Sequence, residues 1–428
     1  MTIPAIEVRL WGRRVGAVAP DPALGCYVFA YAKEWIVTGI EPAPLMMPIG
    51  PRRYAFPDLS EETYRGLPGL LADALPDDFG NAIVDAWMAT RGVRHTTITT
   101  LDRLAYMGKR GMGALEFQPA LRTPAAYRTA LDMRALVEAA RYAVHGDLSQ
   151  ESLATEALQN IAGVGTSAGG ARAKAVVAWN PTTGEIRSGQ FATQPGFEHW
   201  LLKFDGMGKD AELGGSRDYG RIEYAYALMA HSAGIHMMPS RLLLENGRAH
   251  FMTQRFDRTD NRKHHIQTFC GLAHIDYRKR GVHAYEQLFS AAKRLGLPVE
   301  DLDELFRRMV FNVLAKNCDD HAKNFAFILK EGESWRLAPA YDVTHAYNPA
   351  GEWTYQHLLS VNGKFRDIGD TDCLALADRF MIRRATDILA AARRAVRLWP
   401  EFAAQAGLPR AAAERVASDF VPAIHDGP

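Results

Sequence analysis

Paired cysteines, net charge and long apolar runs are all scarce in this 428-residue chain. The four cysteines, Cys26, Cys270, Cys318 and Cys373, are far apart and form no Cys-x-x-Cys pair. That excludes zinc ribbons and disulfide scaffolds and fits a reducing cytoplasm. Lys and Arg total 50 against 49 Asp and Glu, a net charge of +1, so no global field draws the chain to nucleic acid or an anionic membrane. Any DNA contact is expected to be local or borrowed from a partner. No stretch reaches about 18 uninterrupted apolar residues, and Met1–Glu7 lacks a basic segment followed by an apolar core. A secreted or membrane-spanning protein is therefore not expected. There is no internal repeat and no low-complexity tract. What is present, 47% hydrophobic and 23% charged residues, is ordinary for a soluble enzyme, and the length suffices for two or three domains.

Chemistry concentrates in Asn317-Cys318-Asp319-Asp320-His321-Ala322-Lys323-Asn324 and, downstream, Tyr341-Asp342-Val343-Thr344. An aspartate five residues before an asparagine is the spacing by which protein kinases place a base against an acceptor hydroxyl and an amide oxygen against Mg²⁺. Here these are Asp319 and Asn324. Phe325–Leu329 and Ser334–Leu337 flank Glu331-Gly332-Glu333, which predicts a β-hairpin. With the turn centred between Gly332 and Glu333, Asn324 falls opposite Tyr341, roughly 5 Å away between Cα atoms, and Asp342 is its neighbour. Two oxygen ligands at a hairpin base suit a hard cation holding nucleotide phosphates. The plainer alternative is a polar turn in which Asp320 and His321 are solvated or capping. The matched Asp342 favours phosphoryl transfer.

The start of the chain predicts a small β-rich module: Val8–Trp11, Gly12 and Gly16 as turn punctuation, then Cys26–Tyr31. Prolines 42, 44, 48, 51 and 57 bar regular structure before Leu67–Gly80, a Leu/Pro/Asp segment with no evident chemical role. A helix is expected from Asn81 to about Arg91, stopped by Gly92, and two amphipathic helices from about Leu131 to Asn160, split at His145-Gly146-Asp147. Gly163–Lys174 is glycine-rich and feeds the strand Ala175–Trp179. It is neither a Walker A loop nor a dinucleotide fingerprint. It is either a flexible turn or a loop of the kind that kinases fold over ATP.

Lys203, in the strand His199–Phe204, either faces solvent at a sheet edge or stands against a charge. Asp205–Arg217 is expected to be a mobile loop, and Glu223 to begin a helix, where it either reaches Lys203 or is solvated. Asn246-Gly247 predicts a type I′ hairpin whose second strand ends at Thr253–Arg258, where a kinase chain passes between lobes and adenine would sit. His264, His265, His274 and His283 lack metal-ligand spacing and are expected at the surface. Helices at Tyr285–Leu295, Leu302–Lys316 and about Arg383–Trp399 build a helical lobe.

With the loop Thr166–Lys174, Lys203, the crossing Gln254–Arg258, Asp319–Asn324 and Tyr341–Val343 all in order, nearly the whole chain resembles the HipA toxin kinases of bacterial type II toxin–antitoxin systems. The N-terminal Val8–Trp11 and Leu67–Leu70 also look like that family's. The resemblance implies an α+β fold: a bilobal protein-kinase-like arrangement, related to phosphoinositide kinases, with an N-terminal β-rich module (1–110), a lobe with the Gly-rich loop (111–257) and a helical C-terminal lobe (258–428). It implies a cytoplasmic serine/threonine kinase using ATP and Mg²⁺, with Asp319 as base and Asn324 and Asp342 as metal ligands. Nucleotide contacts would come from Ser167, Ala168, Gly169, Gly170, Lys203, Gln254, Phe256, His321, Lys323, Asn324 and Asp342. Ser167 lies where members carry an autophosphorylated, inactivating serine; Gln254 replaces the family's common glutamate, which puts a side-chain contact to adenine in doubt. The implied substrate is an aminoacyl-tRNA synthetase, glutamyl-tRNA synthetase first. The implied partner is a HipB-like helix-turn-helix antitoxin that supplies DNA binding, with no membrane partner. A catalytically weak corepressor and a metal phosphohydrolase built on Asp319-Asp320-His321 are the competing readings.

Overall fold

A computed structural model describes residues 3–121, 131, 133–145, 161–162, 173–206 and 218–420. The chain divides into two compact units: Met1–Gly208 with Met252–Gln267 and Ile328–Ser334, and Lys209–Phe251 with Thr268–Phe327 and Trp335–Pro428.

The first unit opens with β1 (Ile6–Leu10), β2 (Arg13–Asp21) and β3 (Cys26–Tyr31). Alternate residues Ile6, Val8 and Leu10 are fully buried, as one face of a half-buried strand requires. The sheet runs β4-β3-β2-β1-β5, where β4 is Arg53–Tyr54 and β5 is Leu115–Gln118. Gly16 is not turn punctuation. It lies inside β2, where a Cβ would stand 2.2 Å from the Ala30 carbonyl oxygen, so the close approach of β3 requires glycine. Short elements do form in the proline-rich stretch, β4 and the helical turn Glu61–Tyr64.

The Leu/Pro/Asp segment acquires a role. Helix α1 (Asp78–Ala89) starts three residues earlier than expected because Asp77 caps it, accepting the Gly80 N–H at 2.7 Å. The other carboxylate oxygen stands 3.5 Å from the ammonium of Lys174, which is only 3% exposed. Helix α2 (Thr100–Met107) carries a Thr99/Asp102 capping box and follows α1. Buried Arg103 ties the two helices together through Asn81 (3.0 Å) and Asp85 (2.6 Å).

Of the two helices expected from about Leu131 to Asn160, Met133–His145 is present. The second lies outside the described residues; 161–162, which follow it, are helical. The glycine-rich loop through residue 172, and 207–217 of the expected mobile loop, also lie outside them. A second sheet then begins with β6 (Lys174–Trp179), β7 (Ile186–Ser188) and β8 (Glu198–Lys203). Flanked by β7 and β8, β6 is buried along nearly its whole length, and Lys174 pairs with Lys203 in the ladder. The Arg255 N–H donates to the His199 carbonyl at 2.9 Å, bringing the Gln254–Arg258 segment beside β8.

The second unit is mainly helical. In α3 (Tyr219–Ser232), Gly220 admits the Ala249 carbonyl where a Cβ would lie 2.0 Å from it. Tyr226, fully buried, donates to the Ala315 carbonyl at 2.5 Å and packs edge-on against Phe311 and Trp399. The Asn246-Gly247 turn has φ of 45° and 77°, the left-handed pair that a type I′ hairpin demands. Helices α4 (Tyr285–Arg294), α5 (Val299–Leu314), α6 (Asp370–Phe380) and α7 (Ala385–Arg397) complete the scaffold used below. The first turn of α5 supplies Asp301, which takes both arms of Arg336 at 2.8 Å and the Leu337 N–H at 2.8 Å. No helix among the described residues is long and apolar enough to cross a membrane.

Asp77 therefore joins helix capping to charge pairing. Asp77→Ala is expected to cost about 3 kcal/mol of unfolding free energy, and Asp77→Asn, which keeps a capping oxygen, about 1 kcal/mol less. Urea denaturation checks this; loss below about 0.5 kcal/mol for the alanine variant would show the pair to be idle.

Candidate active site

Helix α5 delivers the chain to Lys316, whose φ of 52° turns it sharply. The next residues run beside residue 346: Cys318 N–H donates to the Ala346 carbonyl at 2.9 Å, and Ala346 N–H to the Lys316 carbonyl at 3.1 Å. The backbone leading into Asp319 is held. A single 3-10 turn, Ala322–Asn324, follows, with His321 at its start accepting the Lys323 N–H on Nδ1 at 3.2 Å.

That turn folds Asn324 back onto the loop. Its Nδ2 donates to the Asp319 carbonyl at 2.7 Å, which leaves Oδ1 as the amide atom available to a cation. Tyr341 Oη donates to the Lys323 carbonyl at 2.5 Å, fastening the downstream segment to the turn. Ala338 N–H donates to the Ala326 carbonyl at 3.0 Å, one residue from the predicted hairpin register. The next residue after Tyr341, Asp342, has φ of 53°, a left-handed conformation sparsely used outside glycine.

Asp319 itself is half-buried. Oδ1 accepts the Trp353 indole N–H at 2.7 Å and lies 3.7 Å from His321 Nε2. Burial raises the carboxyl pKa above the usual aspartate range; His321 and the Trp353 donor oppose that, while Asp342 and Asp320 add to it by charge repulsion. Asp342 is thus close enough to Asp319 for the two carboxylates to repel. Around them Tyr277 stacks at a tilt against His321 (5.2 Å) and lies under the Lys323 ammonium (4.7 Å).

Asp320 is neither solvated nor capping. It is 1% exposed and points into the core. Of the residues expected at the site, the second unit thus brings together Asp319, His321, Lys323, Asn324 and Asp342. Sequence reasoning misses Trp353: an isolated tryptophan in Glu352-Trp353-Thr354 carries no motif, and its indole bond to Asp319 and ring contact with His321 reveal it.

In the first unit, Lys203 is half-buried at the end of β8. At the crossing, Arg255 and Asp257 are buried while Gln254 and Phe256 remain half-exposed. Asp257 takes Arg255 and Arg258 at 2.7 Å and the Gly113 N–H at 2.6 Å. The two guanidiniums hold its carboxyl well below the usual range despite full burial. Ser167, Ala168, Gly169 and Gly170 lie outside the described residues.

Two expectations are overturned. Helix α3 begins at Tyr219, so Glu223 sits in its second turn, 3% exposed and not solvated. The four histidines are not surface residues: His264 and His265 are buried, His274 and His283 half-buried. His265 donates from Nε2 to the Pro42 carbonyl at 2.8 Å, and burial drives its pKa down to about 4. These rings serve packing, and no cluster of metal-ligating residues occurs among the described residues.

Family models for the HipA N-terminal domain and the HipA-like C-terminal domain match residues 6–118 and 166–426. The chain belongs to the HipA family. The solved HipA–HipB–operator DNA complex of the Shewanella oneidensis MR-1 toxin–antitoxin system shares its fold, with a TM-score of 0.64 at 17% identity over 96% of this chain and 94% of the other. Y4mE of Sinorhizobium fredii, named as a candidate kinase, is 28% identical over 125 residues, 27% of this chain and 30% of that protein. The match thus spans less than a third of Y4mE. The HipA fold accounts for the α+β composition and the helical character of the second unit.

Trp353→Phe keeps an aromatic ring but removes the donor to Asp319. Losing a bond to the charged form raises a carboxyl pKa, here by up to about one pH unit. NMR titration of labelled aspartate in the metal-free protein reads this, and an unmoved Asp319 midpoint would show the indole bond to be without effect.

Proposed function

We propose that this HipA-family protein is the toxin of a toxin–antitoxin pair, an ATP- and Mg²⁺-dependent serine/threonine kinase. The observation that carries the reading is the Asn324 amide bonded to the Asp319 carbonyl at 2.7 Å with Asp342 beside them. This supports a reading in which one carboxylate acts on a proton while a separate amide oxygen and carboxylate would hold a cation.

In the proposed reaction Asp319 accepts the proton of an acceptor hydroxyl. Asn324 and Asp342 would hold Mg²⁺, which would neutralise nucleotide phosphate charge when bound. On the family resemblance Lys203 would contact a phosphate oxygen, and His321 and Lys323 would contact the nucleotide. Phe256 covers the adenine; Gln254, in place of the family's usual glutamate, contacts it through backbone. Residues 167–170 would cover the phosphates, with Ser167 the internal acceptor. The Trp353 bond keeps the Asp319 carboxylate oriented and opposes the rise in its pKa that burial imposes.

The near-neutral chain fits a partner that supplies DNA contacts, a HipB-like antitoxin; the related Shewanella complex contains HipB and operator DNA. An aminoacyl-tRNA synthetase is the proposed acceptor, glutamyl-tRNA synthetase first. The test is incubation with labelled ATP, Mg²⁺ and a panel of purified synthetases, beside Asp319→Asn. Label on a synthetase serine or threonine, reduced about 10²–10⁴-fold in the variant, is expected. No transfer to any protein, or equal transfer by the variant, would overturn the reading.

A further inference from the structure

Next to Asp319 in sequence, Asp320 points the opposite way and is saturated with donors. Its Oδ1 accepts the Leu358 N–H at 2.7 Å; its Oδ2 accepts Tyr285 Oη–H and His357 Nδ1–H, each at 2.8 Å. Three donors satisfy both oxygens of this buried carboxylate. The Tyr285 hydroxyl in turn accepts the Asn312 amide at 3.1 Å, so the carboxylate is linked to both α4 and α5.

His357 is the unusual member. It is 3% exposed, lies 37 residues beyond Asp320, and turns its other ring nitrogen to the Cys318 sulfur at 3.8 Å. Cys318 and Asp320 are the residues on either side of Asp319. One imidazole therefore engages both neighbours of the proposed base. Burial alone would make the ring neutral, but Asp320, with Cys318 adding to it, raises its pKa to about 10. At neutral pH both ring nitrogens are then donors.

We propose that His357 is a positioning residue: by holding Asp320 through Nδ1 and facing Cys318 through Nε2, it fixes the loop on both sides of Asp319 and sets where that carboxylate stands. The catalytic consequence rests on the kinase reading; the ordering of the loop does not. An ion pair that merely fastened residues 354–361 to the core would lower stability while leaving turnover per folded molecule unchanged. A positioning residue lowers turnover without altering nucleotide affinity, because displacing a reacting group by about 1 Å costs on the order of 10²-fold in rate.

The test uses the full chain with His357→Ala, His357→Gln and Asp320→Asn, the last two retaining polar groups should the alanine variant fail to fold. Amide hydrogen exchange of residues 317–324 is measured without nucleotide. Turnover is measured with Mg²⁺-ATP and the protein as its own acceptor, normalised to folded protein. The expected result is exchange at least about tenfold faster in 317–324, with β1 and β2 unchanged. Alongside it, kcat should fall at least about tenfold, with KM for ATP within about twofold and partial recovery in His357→Gln. Unchanged loop exchange, or faster exchange with kcat per folded molecule intact, would overturn the proposal. Absence of turnover in the wild-type protein would instead remove the kinase reading and the catalytic half with it, leaving exchange to decide whether His357 orders the loop.

Discussion

The amide nitrogen of Asn324 is committed to the loop itself, and the proposed cation role of its oxygen depends on that bond. Donation to the Asp319 carbonyl at 2.7 Å constrains the side-chain rotamer and closes the loop on itself. The surrounding structure maintains that bond. Ala346 pairs with the segment that leaves α5, Tyr341 fastens the downstream segment to Lys323, and Asp320 anchors the loop from beneath. Two adjacent aspartates thereby acquire opposite roles: one keeps partial access to solvent, while the other is spent on internal donors.

Much of this was legible because the elements concerned are specified locally. The five-residue spacing from Asp319 to Asn324 is set by one loop and one 3-10 turn, and the type I′ turn needs only Asn246-Gly247. The hairpin after Asn324 was read to within one residue because its turn and apolar strands are contiguous. Alternation marked β1, and helical periodicity marked α4, α5 and α7.

The misreadings share a physical cause: burial by residues distant in the chain. Polarity points to surface histidines and offers a solvated Asp320 as the plainer alternative, yet Tyr285 and His357 bond a buried Asp320 and Pro42 accepts from His265. Glu223 was placed at a helix start because the preceding residues carried no start signal; the helix begins at Tyr219 with an Asp218 that makes no side-chain cap. Gly16 looks like punctuation until the Ala30 carbonyl is seen against it. The Leu/Pro/Asp segment acquires its role only with Lys174, nearly a hundred residues later, beside Asp77. Trp353 and β5 were invisible for the same reason, since neither a lone indole donor nor a four-residue edge strand leaves a periodic signal.

The central claim is that Asn324 and Asp342 hold a metal while Asp319 remains free for a proton. A crystal structure with Mg²⁺ and a non-hydrolysable ATP analogue tests this most directly. The account predicts a cation ligated by Asn324 Oδ1 and an Asp342 carboxylate oxygen at about 2.0–2.1 Å, with the Asn324–Asp319 bond intact and Asp319 unligated. A cation bound by Asp319 and His321, or nucleotide bound with no metal at Asn324 and Asp342, would contradict it.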